Sequence, residues 1–212
     1  MGSVFKTIGL TVIAALAMNA VAVVAAHAQG TYTADEYPAT VTGEQVGTDV
    51  WTSSAGTLSC THVTYHGELS GPSSSLEVTP TFTGCKAFGL FNATVDKNGC
   101  KYKFRNLVAE APGKYISVVD LDCPPGSFLT VTTSVCRKTY PSQQGLAVET
   151  STFTGIPYRI HRSTQITSIS YMIDPGCATA SAGNYSNGSL NSSATLSATN
   201  ELEEPIGISI TE

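Results

Sequence analysis

The segment CTHVTYHG, from Cys60 to Gly67, holds one thiol and two imidazoles within a few positions. His62 and His66 have the H-x-x-x-H spacing with which a helix offers two ligands to one zinc ion. With a free thiolate at Cys60, the same segment would carry a cysteine–histidine pair for nucleophilic catalysis. Two other groupings carry charge. Asp120 and Asp122, in VVDLDCPPG, are paired carboxylates of the kind that bind calcium or hydrolyse polysaccharide by acid–base chemistry. Lys101, Lys103 and Arg105, in CKYKFRN, alternate, so a strand presents all three on one face. That face would suit an anionic ligand such as an acidic envelope polymer or a phospholipid head group.

The elements that must position these residues decide among the readings. After residue 28 the chain shows alternation and β-branched residues, and no convincing amphipathic helix. On a strand, four residues advance by about 13 Å. Two ligands of one zinc, each bonded at about 2 Å, cannot be that far apart. The reading is therefore Val63, Tyr65 and Leu69 facing a core, with His62, Thr64, His66 and Glu68 facing out. Leu58 and Cys60 fall on the opposite parity, which predicts a bulge near Thr61. No metal site and no cofactor follows. Serine catalysis finds no G-x-S-x-G elbow, and His161 is the one other histidine beyond residue 28.

The first 28 residues read as a secretory signal peptide. Lys6 precedes an apolar run from Ile8 to Ala26, and Ala26-His27-Ala28 is a small-x-small cleavage pattern that leaves Gln29 first. Retention as an uncleaved anchor is the alternative. No later stretch is apolar for long enough to span a bilayer as a helix. All six cysteines lie beyond the leader, and an even number in an exported chain indicates disulfides. The hairpins favour Cys60–Cys85 and Cys100–Cys123, leaving Cys136–Cys177, although spacing alone does not decide the pairing. The expected location is secreted or on the cell surface.

Candidate strands are Ala39–Thr42, Asp49–Ser53, Thr57–Leu69, Leu76–Phe82, Phe91–Lys97 and Cys100–Arg105. They continue with Tyr115–Leu121, Phe128–Val135, Leu146–Thr152, Tyr158–Ile173, Ser189–Ala198 and Ile206–Ile210. Gly, Pro, Asn and Ser punctuate them. The fold class is all-β: a disulfide-stabilised antiparallel two-sheet sandwich, or a barrel-like closure, over residues 29–212. Two small β-domains divided near Pro141–Gly145 are the alternative. Asn98-Gly99 marks a type I′ turn between FNATVDK and CKYKFRN. Paired as a hairpin, these would put Phe91, Ala93, Val95, Tyr102 and Phe104 on a core face. The stretch Ser181–Asn200 reads as a weak strand pair or a loose tail.

Charged residues are 13% of the chain and the net charge is −5. Apart from Lys6, every Lys and Arg lies between Lys86 and Arg162, with Asp96, Glu110, Asp120, Asp122 and Glu149 as the acids of that stretch. The flanks hold only acids. Such asymmetry can mark a surface for an anionic partner, but the favoured reading is acidic flanks packed beside a basic middle. Export and net charge disfavour nucleic acid.

The run GTLSC, SLEVTPTFTGCKAFG, ATVDKNGCKYKF, DCPPG and TGIPY resembles a group of small exported six-cysteine proteins of actinobacteria. The matching positions are Asn98, Gly99, Cys100, Tyr102, Phe104, Cys123, Pro124 and Gly126. The resemblance implies export and an all-β fold, and no catalytic role. The functional expectation is a non-enzymatic binding or structural protein of the envelope. The alternative is a secreted hydrolase using Asp120 and Asp122.

Overall fold

A computed structural model describes residues 29–154 and 158–212. The expected leader, 1–28, lies outside the described residues. Every described element is a strand. The first are β1 (Thr31–Ala34), β2 (Ala39–Gln45), β3 (Asp49–Ser53), β4 (Gly56–Leu69) and β5 (Ser75–Ala87). Then come β6 (Phe91–Asp96), β7 (Lys101–Ala111), β8 (Lys114–Asp122), β9 (Leu129–Thr133) and β10 (Arg137–Tyr140). The last are β11 (Gln143–Thr154), β12 (Arg159–Ile173), β13 (Gly183–Thr199), β14 (Pro205–Ile206) and β15 (Ile208–Thr211). Among the described residues no helix is long and apolar enough to cross a membrane.

The pairing closes the main sheet on itself twice. One ring runs β2, β4, β5, β7, β8, β11, β12, β13 and back to β2. The other runs β3, β4, β5, β6, β9, β10, β12, β13 and back to β3. All these pairs are antiparallel. The shared strands are the long ones: β4, β5, β12 and β13 have 14, 13, 15 and 17 residues. Each spans both rings, while short strands such as β3 and β10 serve one. The all-β antiparallel class holds, in its barrel-like form, and closure leaves few open edges.

The bulge expected near Thr61 does not form, since Cys60 opposite Cys85 and His62 opposite Thr83 keep one register, and the waist between the rings accounts for the change of parity instead. In β4 the buried set changes from Leu58 and Cys60 to Val63 and Tyr65, with Thr61 and His62 both exposed. Its partner β5 changes face at the same level, from Leu76 and Val78 to Cys85 and Ala87. Gly84, opposite Thr61, takes φ 59°, the left-handed region that glycine enters without strain. Both strands slip together, so Cys60 still faces Cys85. In β12 the change falls between Ile166 and Ile169, with Ser168 at φ 63°.

The three disulfides are Cys60–Cys85, Cys100–Cys123 and Cys136–Cys177. Trp51, Tyr140, Tyr171 and Tyr185 form a chain of ring contacts through the second ring, with centroids 5.3, 5.7 and 5.4 Å apart. The terminal strands β1 and β15 pair with each other, burying Tyr32, Ile208 and Ile210 at one end. There the Arg162 guanidinium lies over the Phe104 ring and donates from Nη2 to the Tyr32 hydroxyl at 3.1 Å.

One expected pairing is corrected. Asn98 and Gly99 have φ of 47° and 82°, and the Cys100 N–H donates to the Lys97 carbonyl at 2.8 Å, so the tight turn is present. The strands it joins do not pair. β6 lies between β5 and β9 in the second ring, and β7 between β5 and β8 in the first. The short Pro112-Gly113 turn gives β7 a nearer partner in β8, and Cys100–Cys123 ties the far ends of that pair. Tyr102 and Phe104 are buried as expected, whereas Phe91 is 39% exposed.

Candidate functional site

β7 directs Lys101, Lys103 and Arg105 outward between β5 and β8. Each cation meets a carboxylate from a neighbouring strand. Lys101 and Lys103 lie 3.6 and 3.1 Å from Glu77 of β5. The Lys103 hydrogen bond is the main reason the Glu77 carboxyl sits below its ordinary range. Arg105 holds Asp120 of β8 through two hydrogen bonds, with Nη2 donating to Oδ1 at 3.0 Å. The start of β11 covers this pair, and the Gly145 N–H donates to Asp120 Oδ1 at 2.7 Å. Burial opposes ionisation of Asp120, but the bonds from Arg105 and Gly145 outweigh it and the pKa falls. With Asp122 beside them, three cations face three carboxylates, so the stripe is electrically balanced.

Asp120 and Asp122 do share a cleft, of about 210 Å³, with Lys103, Arg105, Ser142 and Gln144. No aromatic side chain lines it. Asp120 is already engaged by a guanidinium and a backbone N–H, which suits an anchor rather than a proton donor. The histidines of β4 also stay apart. His62 is opposite Thr83, and His66 is opposite Thr79 and Thr42. Both are exposed, and Cys60 is half of a cystine. Among the described residues no three His, Cys, Asp or Glu side chains gather as a metal site.

A different surface combines shape with suitable chemistry. Outside the second ring, an open groove of about 730 Å³ runs beside β10, β12 and β13. Its apolar side includes Phe128 and Met172, 40% and 39% exposed. Its polar side includes Asn184, Ser186 and Asn187. The register Met172 opposite Asn184, and Tyr171 opposite Tyr185, sets these groups side by side. Tyr185 stacks on Tyr171 at an interplanar angle of 12°, and its hydroxyl donates to the Ser181 carbonyl at 2.8 Å. Asn187 accepts from the Tyr171 hydroxyl at 2.8 Å and donates to Ser54 Oγ at 3.0 Å. Tyr185 and Asn187 are thus held in place at the groove.

Such a groove can receive a ligand with both C–H faces and hydroxyls. Aromatic and thioether surfaces pack on the C–H face of a sugar ring, while amides and serine hydroxyls both donate and accept. The volume is within the usual range for small-molecule sites, about 300–1,000 Å³. Among the groove residues only Asn184 and Asn187 match a short motif, the N-x-S/T acceptor pattern, which arises often by chance in a Ser/Thr-rich chain. The local signal was the alternation of Asn184, Ser186 and their neighbours in the segment that also reads as a loose tail. Phe128 reaches the groove from the loop before β9 and Met172 from the neighbouring strand β12, and neither leaves a local signal.

No protein-family model matches the chain, and no curated protein or solved structure matches it. The architecture defines a disulfide-stabilised, ring-closed all-β protein, and function rests on the site alone.

Proposed function

We propose that this protein is a non-enzymatic glycan-binding protein of the cell envelope or extracellular space, with a polysaccharide docking in the Phe128–Met172–Asn184–Tyr185 groove. The disulfide-rich all-β fold is compatible with an extracellular structural or binding protein. The observation that carries the finer reading is the meeting of exposed apolar surfaces and amides in one open groove. The balanced charges of the Lys101–Lys103–Arg105 stripe favour a neutral glycan over an anionic polymer. The engaged Asp120 and its cleft without aromatics favour binding over hydrolysis.

Retention of the purified protein on insoluble envelope polysaccharide tests this reading. Phe128→Ala and Asn184→Ala should each weaken retention about tenfold, the effect of losing about 1.4 kcal/mol of binding. Lys101→Gln with Lys103→Gln should leave it unchanged. The opposite pattern would move the ligand to the basic stripe, and release of soluble sugar would establish hydrolysis.

A further inference from the structure

The turn between β5 and β6 carries a residue that folding alone does not call for. Phe88 and Gly89 have φ of 54° and 71°, and the Leu90 N–H donates to the Ala87 carbonyl at 3.0 Å. Asn98 and Gly99 form a turn of the same kind. Asparagine or glycine suits its first position, whereas a bulky side chain at positive φ is strained. Strain of this sort points to function when the neighbours hold it in place. Here they do. The Phe88 N–H donates to the Thr57 carbonyl at 2.9 Å, and one side of the ring rests on Gly56, where a Cβ would collide with it. The rest stays open. Phe88 is 41% exposed, Leu90 is 78% exposed, and the ring of Phe91 meets that of Phe88 edge-on with centroids 6.5 Å apart. The three side chains make a convex apolar tip at the outer end of the second ring.

Charge is sorted along the length of the barrel. Asp35, Glu36, Glu201, Glu203, Glu204 and Glu212 lie at the end closed by β1 and β15. The turns at the other end, 53–56, 87–91, 133–137 and 174–183, hold one acid, Asp174, which Arg137 approaches to 3.7 Å. Lys86, beside the tip and opposite Asn92, is exposed and forms no ion pair among the described residues. The tip is small for a protein partner or a second copy. Its side chains expose on the order of 300 Å², whereas each side of a specific protein interface covers about 600–1,000 Å². No other large apolar side chain of these turns is exposed. A lipid surface sets no such minimum, and its pull grows with buried apolar area and with attraction to anionic head groups. We propose that the Phe88–Leu90–Phe91 tip docks the barrel end-on on an anionic lipid bilayer, with Lys86 among the head groups. The acidic end then points away from the negative surface. The glycan groove lies on the flank of the second ring, so the two surfaces act independently.

Flotation of the protein that begins at Gln29 with vesicles of phosphatidylcholine, alone or mixed with phosphatidylglycerol, tests the proposal. The native protein should float with the mixed vesicles. Leu90→Ser should weaken that association about tenfold, the factor that burying one leucine supplies. Leu202→Ser removes a leucine 77% exposed at the acidic end and should change nothing. Lys86→Gln should lower the preference for the mixed vesicles about fivefold, the worth of one cation at a negative surface. Should Leu90→Ser fail to fold, Leu90→Trp decides: its emission should move to the blue when vesicles are added, over a constant background from buried Trp51. Unchanged emission overturns the proposal, as do equal flotation of Leu90→Ser and native protein, loss of flotation in Leu202→Ser, or a native protein that ignores both vesicles. A dimer in solution that Leu90→Ser dissolves, without flotation, would give the tip to a second copy and overturn the lipid contact.

Discussion

Replacing Lys138 with methionine should make this protein more stable at neutral pH. Lys138 is 5% exposed, opposite Val131 on β9 and Ile173 on β12. Its Nζ donates to Ser53 Oγ at 3.1 Å. Burial lowers its pKa from 10.5 to about 8. At about 1.4 kcal/mol per pKa unit, holding the ammonium inside costs about 3 kcal/mol. Methionine has similar length and no charge, and Ser53 keeps its own bond to the Gly56 carbonyl at 2.9 Å. Losing the lysine hydrogen bond costs about 1 kcal/mol. The net gain is about 2 kcal/mol, or roughly 4–8 °C in melting temperature for a chain of this size. The sign follows from proton linkage. Between pH 8 and 10.5 the unfolded lysine keeps a proton that the folded one has released, so native stability rises with pH there. Below that window the cost is present in full. Tyr102 and Tyr140 titrate abnormally high and weaken the native fold above pH 10. They act equally in both proteins, so the difference between them is the observable. Urea unfolding followed by Trp51 fluorescence, from neutral to alkaline pH, measures it. A variant less stable than the native protein at neutral pH, or a difference that does not shrink toward alkaline pH, would refute this account of the buried amine.

Three further outcomes are expected. Cys136→Ser with Cys177→Ser opens a link between residues 41 apart, and chain entropy sets the loss at about 4 kcal/mol by denaturant unfolding. Asp120→Asn should cost about 1–3 kcal/mol by removing a charged acceptor from Arg105 and Gly145. Because the native Asp120 pKa is lowered, its stabilisation is present above pH 3.8 and lost as pH falls below it, and an acid titration of the variant should lack that component. Gly84→Ala should destabilise by at least about 1–2 kcal/mol, the cost of a side chain in the left-handed region, since its Cβ would also meet Thr61 Oγ1. Adding Thr61→Ala should recover only the steric part, measurable as non-additivity in a double-mutant cycle.

Strand identity was legible because it is written locally. The alternation around Val63 and Tyr65 sets their faces, and the parity conflict at Leu58 and Cys60 disclosed the waist. Partnership was less legible. The Asn98-Gly99 turn has the expected geometry, yet its two arms enter different rings, because β7 finds a nearer partner across Pro112-Gly113. Short β1 and β10 escaped notice, since four residues give too little pattern and their pairing is set by distant strands. The charged stripe was placed on the correct face, but its neutralisation by Glu77 and Asp120 comes from adjacent strands. The groove is still less visible, because Met172 and Asn184 meet only through register and Phe128 joins them from the loop before β9.

The terminal ribbon of β1 and β15 has a consequence for the order of events in folding. A chain made from its amino terminus presents Thr31–Ala34 long before Ile208–Thr211 exists to pair with it. The mouth closed by Tyr32, Ile208 and Ile210 can therefore be sealed only after β15 has been made. The three cystines follow one another along the chain without overlapping, so each can be oxidised as its own segment appears, with no need to reshuffle. Assembly is progressive through the body of the protein and waits on β15 to close its lid.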